Sequence, residues 1–194
     1  MVFRAVLAGC GSMAKGWLRA LEEAPELRGR VTVVGLVDLD LAAADRLRSE
    51  FKLDAAATGT DLEQMLTATK PDLLFDVVIP AARRDVVMTG LRHGCHVLTE
   101  KPMAASLEEA RDIVAAAKQA GRVHAVVQNR RFIDGVRRIR ETIASGALGE
   151  FTALHADFFI GAHFGGFREA MEDLLLLDMA IHTLDAARFM SGAD

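Results

Sequence analysis

Residues 9–14 read GCGSMA, between the apolar run FRAVLA (residues 3–8) and the helix-like stretch KGWLRALEEA (residues 15–24). This is a G-x-G-x-x-A pattern set between a strand and a helix, the context in which it favours a dinucleotide-binding turn. Gly9 permits the tight turn, Gly11 lets a pyrophosphate approach the main chain, and Ala14 lets helix and strand pack closely. The N–H groups of the helix's first turn, at Ser12 and Met13, are expected to face the anion. The alternative is a plain strand-to-helix turn with incidental glycines.

Short apolar runs alternate with helical patterns through the first two-thirds of the chain. They are Val- and Leu-rich and mostly continuous, which is typical of strands covered on both faces of a parallel sheet. The predicted strands are 3–8, 31–37, 55–58, 73–78, 96–99 and 123–128. Strands that alternate in this way with helices indicate right-handed crossovers and an α/β fold with a doubly wound parallel sheet of the Rossmann type.

Two helix starts carry a capping-box signature, in which Ser or Thr stands three residues before Glu. Ser106 with Glu109 predicts one helix start, and Gly121 predicts the end of that helix. Thr60 with Glu63 predicts a second start.

The pattern changes after about residue 128. A helix at 132–145, a strand at 151–160 (FTALHADFFI) and an amphipathic helix at 174–190 are predicted there. One strand cannot make a sheet. We therefore predict a dinucleotide-binding domain at 1–128 and the beginning of an incomplete α+β substrate domain at 129–194.

The composition is that of an ordinary globular protein: of 194 residues, 51% are hydrophobic and 26% are charged, with a net charge of −4. The charge argues against nucleic acid as a partner. The apolar N-terminus is too short for a signal peptide or a membrane span. Cys10 and Cys95 have no metal-binding or redox spacing, so reduced thiols and a cytoplasmic location are expected.

Asp38 ends the second predicted strand, 24 residues after Ala14. A carboxylate there can accept hydrogen bonds from the adenosine ribose hydroxyls. Its charge repels a 2′-phosphate, so NAD is preferred over NADP. The alternative is a helix cap, since Asp38 or Asp40 could cap the helix that begins near Leu41.

Two further stretches carry polar groups suited to chemistry. Glu100, Lys101 and Pro102 follow the fifth strand, where a lysine can hydrogen-bond a hydroxyl near a nicotinamide; taken alone, a surface lysine is the simpler interpretation. Later, Asp178, His182 and Asp185 stand at i, i+4 and i+7 of a helix, with Leu177, Ile181 and Leu184 as its apolar stripe. His182, oriented by Asp178, could take a proton from a substrate hydroxyl. A wet helix face and a His/Asp metal site are the alternatives.

Together, G-x-G-x-x-A, the strand-end Asp, GCHVLTEKP and D-x-x-x-H resemble the glucose–fructose oxidoreductase, inositol dehydrogenase and MocA family of NAD(P)-dependent oxidoreductases. The resemblance implies that Lys101 lies by the nicotinamide and substrate, that the Lys101–Pro102 bond is cis, and that His182 is the proton acceptor assisted by Asp178. It also implies, from QNRRF after the sixth strand, that Asn129 lies near the nicotinamide, and that the full-length form is a homo-oligomer. The residues predicted to bind the dinucleotide are therefore Gly9, Gly11, Ser12, Met13, Asp38, Pro80, Glu100, Lys101 and Asn129.

The chain departs from the family pattern in several places. Leu174, Leu175 and Ala180 stand where glycines are frequent, and Arg84 stands four residues after Pro80, where histidine is frequent. Members are typically well over 300 residues long. His163 and Arg168 lie in the loop expected to face the substrate pocket.

The predicted function is hydride transfer between NAD and a secondary alcohol of a sugar, inositol or related polyol, with Lys101, Asp178 and His182 as the catalytic residues and no metal. The alternative is a dinucleotide-binding module that is catalytically incompetent alone because most of the substrate-domain sheet is missing. A metal-dependent lyase or isomerase built on the His/Asp helix is a remote third.

Overall fold

A computed structural model describes residues 2–161, 165–171 and 173–192 of the chain. It divides into two compact units, Met1–Val127 and Gln128–Asp194. None of the helices in these described ranges is both long and apolar enough to cross a bilayer.

The first unit is a six-stranded, wholly parallel sheet in the order β3-β2-β1-β4-β5-β6. Its strands are β1 (Phe3–Ala8), β2 (Val31–Val37), β3 (Ala57–Gly59), β4 (Leu73–Asp76), β5 (His96–Thr99) and β6 (His124–Val126). This is the doubly wound Rossmann order, with the crevice for ligands beyond the carboxyl ends of the strands, where the strand order reverses between β1 and β4. The predicted fold of this unit is confirmed.

Five helices connect the strands: α1 (Ser12–Glu23), α2 (Leu41–Glu50), α3 (Leu62–Thr69), α4 (Pro80–Arg92) and α5 (Leu107–Ala120). Alternate residues of β1 enter different cores. Val6 and Ala8 pack into a cluster with α4 and α5, whereas Ala5 and Leu7 pack into one with α1 and α2. Because neighbouring strand residues point to opposite faces, helices cover both sides of the sheet.

Two predicted strands have different limits. β4 ends at Asp76 rather than residue 78, since the Val78 N–H donates to Asp76 Oδ1 at 3.2 Å instead of extending the ladder. β3 covers Ala57–Gly59 rather than 55–58; it is a short edge strand whose limits follow from pairing with Gly35–Val37, not from its own alanine-rich sequence.

Of the two predicted capping boxes, one is confirmed and one is wrong. The Glu109 N–H donates to Ser106 Oγ at 3.2 Å, and α5 ends at the left-handed Gly121. At α3 the cap is Asp61 rather than Thr60, because the Gln64 N–H donates to Asp61 Oδ1 at 3.0 Å. Asp61 stands three residues before Gln64, the same spacing as that of Thr60 and Glu63. A carboxylate caps a helix as well as a hydroxyl does.

The second unit is helical where it is regular. It contains a 3-10 turn (Asn129–Phe132), α6 (Asp134–Ala144), a second 3-10 turn (Gly166–Ala170), a π-helix (Leu175–Ala180) and α7 (Ile181–Ser191). The predicted strand at 151–160 is wrong, because these residues form no strand. A strand needs a neighbour to satisfy its N–H and C=O groups, and no other strand is present in the described part of this unit.

Candidate functional site

The glycine turn after β1 has the geometry that its sequence predicts. Gly9 has φ +92°, and a Cβ there would lie 2.7 Å from the carbonyl carbon and oxygen of Val77, so only glycine lets the loop after β4 come this close. Gly11 precedes α1 as its N-cap, and no side chain in the described ranges caps the helix. A Cβ at Gly11 would meet no described protein atom within 4 Å. Open space therefore lies against bare backbone at a helix N-terminus.

Asp38 braces this turn rather than capping the following helix. Its Oδ2 accepts from the Cys10 N–H at 2.7 Å, and its Oδ1 accepts from the Asp40 N–H at 2.9 Å. Asp40 is the cap of α2, since its Oδ1 accepts from the Ala42 N–H at 3.0 Å. Each Asp38 oxygen keeps further acceptor capacity, so the carboxylate can hold the turn and still accept from a ribose hydroxyl.

A cavity of about 380 Å³ lies beside the turn. Asp38 and the backbone of Gly9 and Gly11 supply polar groups, while most of the wall is apolar: Val37, Leu39, Leu62, Val77, Val78, Ile79, Ala82 and Val86. Its size is that of a small-molecule site. Apolar walls suit a flat base, the helix N-terminus suits phosphate, and the carboxylate suits ribose. The residues present therefore fit a dinucleotide.

Sequence reasoning missed the apolar wall of this cavity. Leu39 is 95% exposed and Ile79 is 46% exposed, although both are large aliphatic residues. They come just after β2 and β4, and an apolar side chain directly beyond a strand's carboxyl end was the available signal.

A second cavity, of about 520 Å³, lies at the amino ends of the strands, opposite the glycine turn. Phe3 and His96, the first residues of β1 and β5, line it together with Lys70 and Arg122. Ligands of doubly wound sheets bind at the carboxyl edge, so the larger cavity is not the candidate site.

The Glu100–Pro102 loop follows β5 at the carboxyl edge. The Lys101–Pro102 peptide bond is cis, as the family resemblance implies. Glu100 Oε1 accepts from Trp17 Nε1 of α1 at 2.8 Å, and the Trp17 ring packs on Phe75 with the ring centroids 5.3 Å apart. Glu100 thus anchors the loop that carries Lys101 to the helix following the glycine turn.

A fully buried ion pair stands beneath the same edge, and sequence reasoning missed it. Asp76 ends β4, Arg83 lies on α4, and the Arg83 Nε donates to Asp76 Oδ2 at 3.0 Å with the side chains 0% and 1% exposed. Burial raises the pKa of Asp76 to about 6, although Arg83, the Val78 N–H and the Thr99 hydroxyl all favour its charged form. His124 lies 3.1 Å from Thr99 Oγ1, and burial and then the charge of Arg83 lower its pKa.

Cys10 stays a thiol in the glycine turn. It is buried, and burial together with the charge of Asp38 raises its pKa to about 12.

In the second unit, the helix that carries Asp178 and His182 buries its polar side. Asp178 and His182 are buried, whereas Leu177 is 46% and Leu184 is 64% exposed. Two of the three leucine and isoleucine residues of the predicted apolar stripe are therefore exposed, and Ile181 is half-buried. The alternative of a wet polar face is wrong. The first part of this helix, up to Ala180, is π-helical, a geometry that is frequent at functional sites.

Arginines compensate the aspartates of this helix. The Arg168 Nε donates to Asp178 Oδ2 at 2.7 Å, and Arg131 binds Asp185 through two hydrogen bonds of 2.7 and 2.5 Å. Arg168 therefore pairs with Asp178, and its contact with a substrate stays a prediction. His163 lies outside the described residues.

The remaining predicted residues occupy element ends. Ser12 and Met13 form the start of α1, Pro80 begins α4, and Asn129 begins the first 3-10 turn of the second unit, where it is exposed. Across the described ranges, no group of three or more His, Cys, Asp or Glu side chains is arranged to hold a metal ion.

The sheet order, the glycine turn and the strand-end carboxylate define the class: a dinucleotide-binding Rossmann domain. Residues 3–128 match the model of an oxidoreductase family with an NAD-binding Rossmann fold, and residues 136–194 match the GFO/IDH/MocA C-terminal domain. The chain belongs to the GFO/IDH/MocA family of oxidoreductases, and its first unit is an NAD-binding Rossmann domain.

Several proteins are similar to the chain. The D-glucoside 3-dehydrogenase of Escherichia coli is 29% identical over 85% of this chain and 48% of its own length. The inositol 2-dehydrogenase of Burkholderia cenocepacia is 28% identical over 100% of this chain and 56% of its own length. An Agrobacterium radiobacter oxidoreductase, solved in complex with NAD+, L-tartaric acid and magnesium, superimposes with a TM-score of 0.83 at 22% identity, over 98% of this chain and 55% of its own. The chain thus spans about half the length of the curated relatives that it matches.

Proposed function

We propose that the protein is an NAD-dependent dehydrogenase that transfers hydride between the nicotinamide and a secondary alcohol of a sugar, inositol or related polyol. The observation that carries the proposal is the open space over the bare Gly11 backbone, which continues into a cavity with Asp38 at its edge. The relatives named as D-glucoside and inositol dehydrogenases support the substrate class.

The first unit binds the cofactor in this proposal. The pyrophosphate lies against the Gly9–Met13 turn, where the helix N-terminus favours an anion. The adenosine ribose donates hydrogen bonds to Asp38, and the adenine contacts the apolar wall formed by Leu39 and Ile79. A 2′-phosphate would meet the Asp38 carboxylate, so NAD is the preferred cofactor over NADP.

We assign the chemistry to Lys101, Asp178 and His182. Bound NAD+ supplies an acceptor for the hydride that leaves the alcohol carbon. Lys101 donates a hydrogen bond to the substrate, and His182 accepts the hydroxyl proton, so that the alcohol C–OH becomes a carbonyl. Asp178 stabilises the resulting imidazolium, and Arg168 orients Asp178 through their 2.7 Å hydrogen bond.

Calorimetric titration of NAD and NADP tests the cofactor half of the proposal. We expect NAD to bind at least about tenfold more tightly than NADP, and Asp38→Asn to weaken NAD by roughly ten- to a hundredfold, because a charge-assisted hydrogen bond is lost. The asparagine oxygen can still accept from the Cys10 N–H, which braces the glycine turn, although its amide nitrogen cannot accept from the Asp40 N–H. The matched control is Asp40→Asn, which alters the α2 cap and leaves NAD affinity unchanged. Tighter binding of NADP than NAD would exclude the role given to Asp38.

Turnover on a panel of sugars and polyols tests the catalytic half. His182→Ala is expected to lower kcat by about 10²–10⁴-fold, the range for loss of a general base, with NAD affinity unchanged. His155→Ala, at an exposed histidine of the same unit, is the control. Equal turnover in wild type and His182→Ala would remove His182 from the mechanism. NAD binding without turnover by the wild-type chain would instead favour the binding module that lacks activity.

A further inference from the structure

The Arg83 guanidinium joins two loops at the carboxyl edge of the sheet. Besides its bond to Asp76, its Nη2 donates to the Val78 carbonyl oxygen at 2.7 Å. Its Nη1 donates to the Pro102 carbonyl oxygen at 2.5 Å. Val78 belongs to the loop after β4, and Pro102 is covalently bonded to Lys101 in the loop after β5. One side chain therefore binds the end of β4 and both of these loops.

Each of these loops carries part of the proposed site. Val77 and Val78 line the dinucleotide cavity, and the Val77 carbonyl is the group that approaches Gly9. The other loop presents Lys101. The guanidinium has a rigid fork of donors, so its three acceptors are held at defined separations. Lysine, with a single nitrogen, cannot reproduce that geometry.

Stability alone is a weak reason to bury this pair. Desolvating a guanidinium and a carboxylate costs free energy, and apolar replacement of a buried ion pair is often neutral or stabilising. Here Arg83 is 1% exposed and Asp76 is 0% exposed. The contacts that an apolar side chain could not make are those to the Val78 and Pro102 carbonyl oxygens.

We propose that Arg83, held in place by Asp76, is the positioning residue for Lys101: it fixes the Lys101–Pro102 loop against the wall of the dinucleotide cavity. This inference rests on the function proposed above for Lys101. Arg83 touches neither cofactor nor substrate in this account. It acts through the Pro102 carbonyl on one side of Lys101, while the Glu100–Trp17 hydrogen bond holds the other side.

The test compares Arg83→Lys with Arg84→Lys. Arg84 is the next residue on α4, and it pairs at the surface with Asp112. Reductive ¹³C-methylation of the lysines gives an NMR signal for Lys101, assigned with Lys101→Arg. We expect Arg83→Lys to shift or broaden the Lys101 signal while those of Lys15, Lys52, Lys70 and Lys118 stay in place. We also expect kcat to fall about tenfold or more, with the KM for NAD changed less than about threefold. Arg84→Lys should change none of these.

A double variant covers the case in which Arg83→Lys does not fold. Asp76→Asn with Arg83→Met removes both charges together, so that no unpaired charge stays buried, and the asparagine oxygen can still accept from the Val78 N–H. In this folded variant the Lys101 signal should again move. A folded variant of either kind with an unchanged Lys101 signal and unchanged kcat would overturn the inference. If the wild type shows no turnover, the proposed function fails while the Lys101 signal still decides the role of Arg83.

Discussion

The two units of the chain bury different kinds of side chain. In Met1–Val127 the interior is mostly aliphatic, with residues such as Leu7, Leu36 and Ile113 at 0% exposure on the two sides of a parallel sheet. Within the described part of Gln128–Asp194, the buried residues are Asp178, Met179 and His182, two of them ionisable. The first unit is stabilised by apolar burial and a backbone ladder. In the described part of the second, two of the three buried side chains, Asp178 and His182, are those to which we assign the chemistry.

This contrast bears on how each unit keeps its site in place. At the glycine turn the neighbouring strands fix the backbone conformation, and a larger side chain there would clash with backbone atoms. On the last helix, Arg168 and Arg131 hold the aspartates through charge-assisted hydrogen bonds. Such bonds are strong when shielded from water, and their loss leaves a charge without compensation.

The largest expected effect separates Gly9 from Gly11. Gly9→Ala would force an L residue to φ +92° and place its Cβ 2.7 Å from the Val77 backbone. We expect the free energy of unfolding to fall by roughly 2–5 kcal/mol, from backbone strain and overpacking together. Urea denaturation measures it.

Gly11→Ala is the matched variant, because its Cβ meets no described protein atom within 4 Å. It should cost less than about 1 kcal/mol, the scale of an N-cap change, yet weaken NAD about tenfold or more, since the methyl group occupies the space proposed for the pyrophosphate. Strong destabilisation by Gly11→Ala, or full NAD affinity in that variant, would contradict our account of the turn.

The fold of the first unit could be predicted because its signals are local. The 3–8, 31–37 and 96–99 runs are apolar strands bounded by turns. The glycine spacing at 9–14 predicts a tight turn without information from the rest of the chain. The strand predicted at 151–160 failed because strand formation depends on a partner, which no local pattern reports. FTALHADFFI has the residues of a strand and lacks a neighbour in the described part of its unit.

The residues of the site were predictable, but the hydrogen bonds and ion pairs that hold them in place were not. Asp38 was expected at the end of β2, but that it braces the Cys10 N–H depends on a turn 28 residues earlier. The hydropathy pattern gave Leu177, Ile181 and Leu184 as the apolar stripe of the last helix. It does not show that Arg168 and Arg131 compensate the aspartates on the opposite face. Asp76 ends an apolar strand and Arg83 lies on a helix. In the sequence each of them, taken alone, is typical of a surface residue, so their buried ion pair was not predictable.

A second prediction concerns Asp76, the one completely buried carboxylate among the described residues of the first unit. The pKa of Asp76 is raised to about 6 in the folded protein, above the value near 4 expected when unfolded. Between these pH values the folded state holds a proton that the unfolded state has released, so the contribution of Asp76 to the free energy of unfolding falls as pH rises from 4 to 6. The total change is on the order of 3 kcal/mol at most, and it is complete above the folded pKa.

Urea denaturation of wild type and of the Asp76→Asn, Arg83→Met double variant at several pH values from 4 to 7 isolates this contribution. The surface carboxylates are present in both proteins, so their contributions cancel in the difference. We expect the difference in stability, wild type minus variant, to decrease with rising pH and to level off above about 6. A difference that does not depend on pH, or one that grows, would show that the pKa of Asp76 is not raised in the folded state.

The smallest expected effect tests whether the last helix is stabilised by its buried side rather than by its leucines. Leu184 is 64% exposed and Met179 is 8% exposed. Leu184→Ala should therefore change the free energy of unfolding by no more than about 0.5 kcal/mol, since little apolar surface is lost and alanine favours a helix. Met179→Ala removes a buried side chain and should cost about 2 kcal/mol or more. Thermal unfolding followed by circular dichroism compares the two. If Leu184→Ala proves the more costly substitution, the leucine side of this helix is covered in solution, and the contrast drawn between the two units holds only for its polar side.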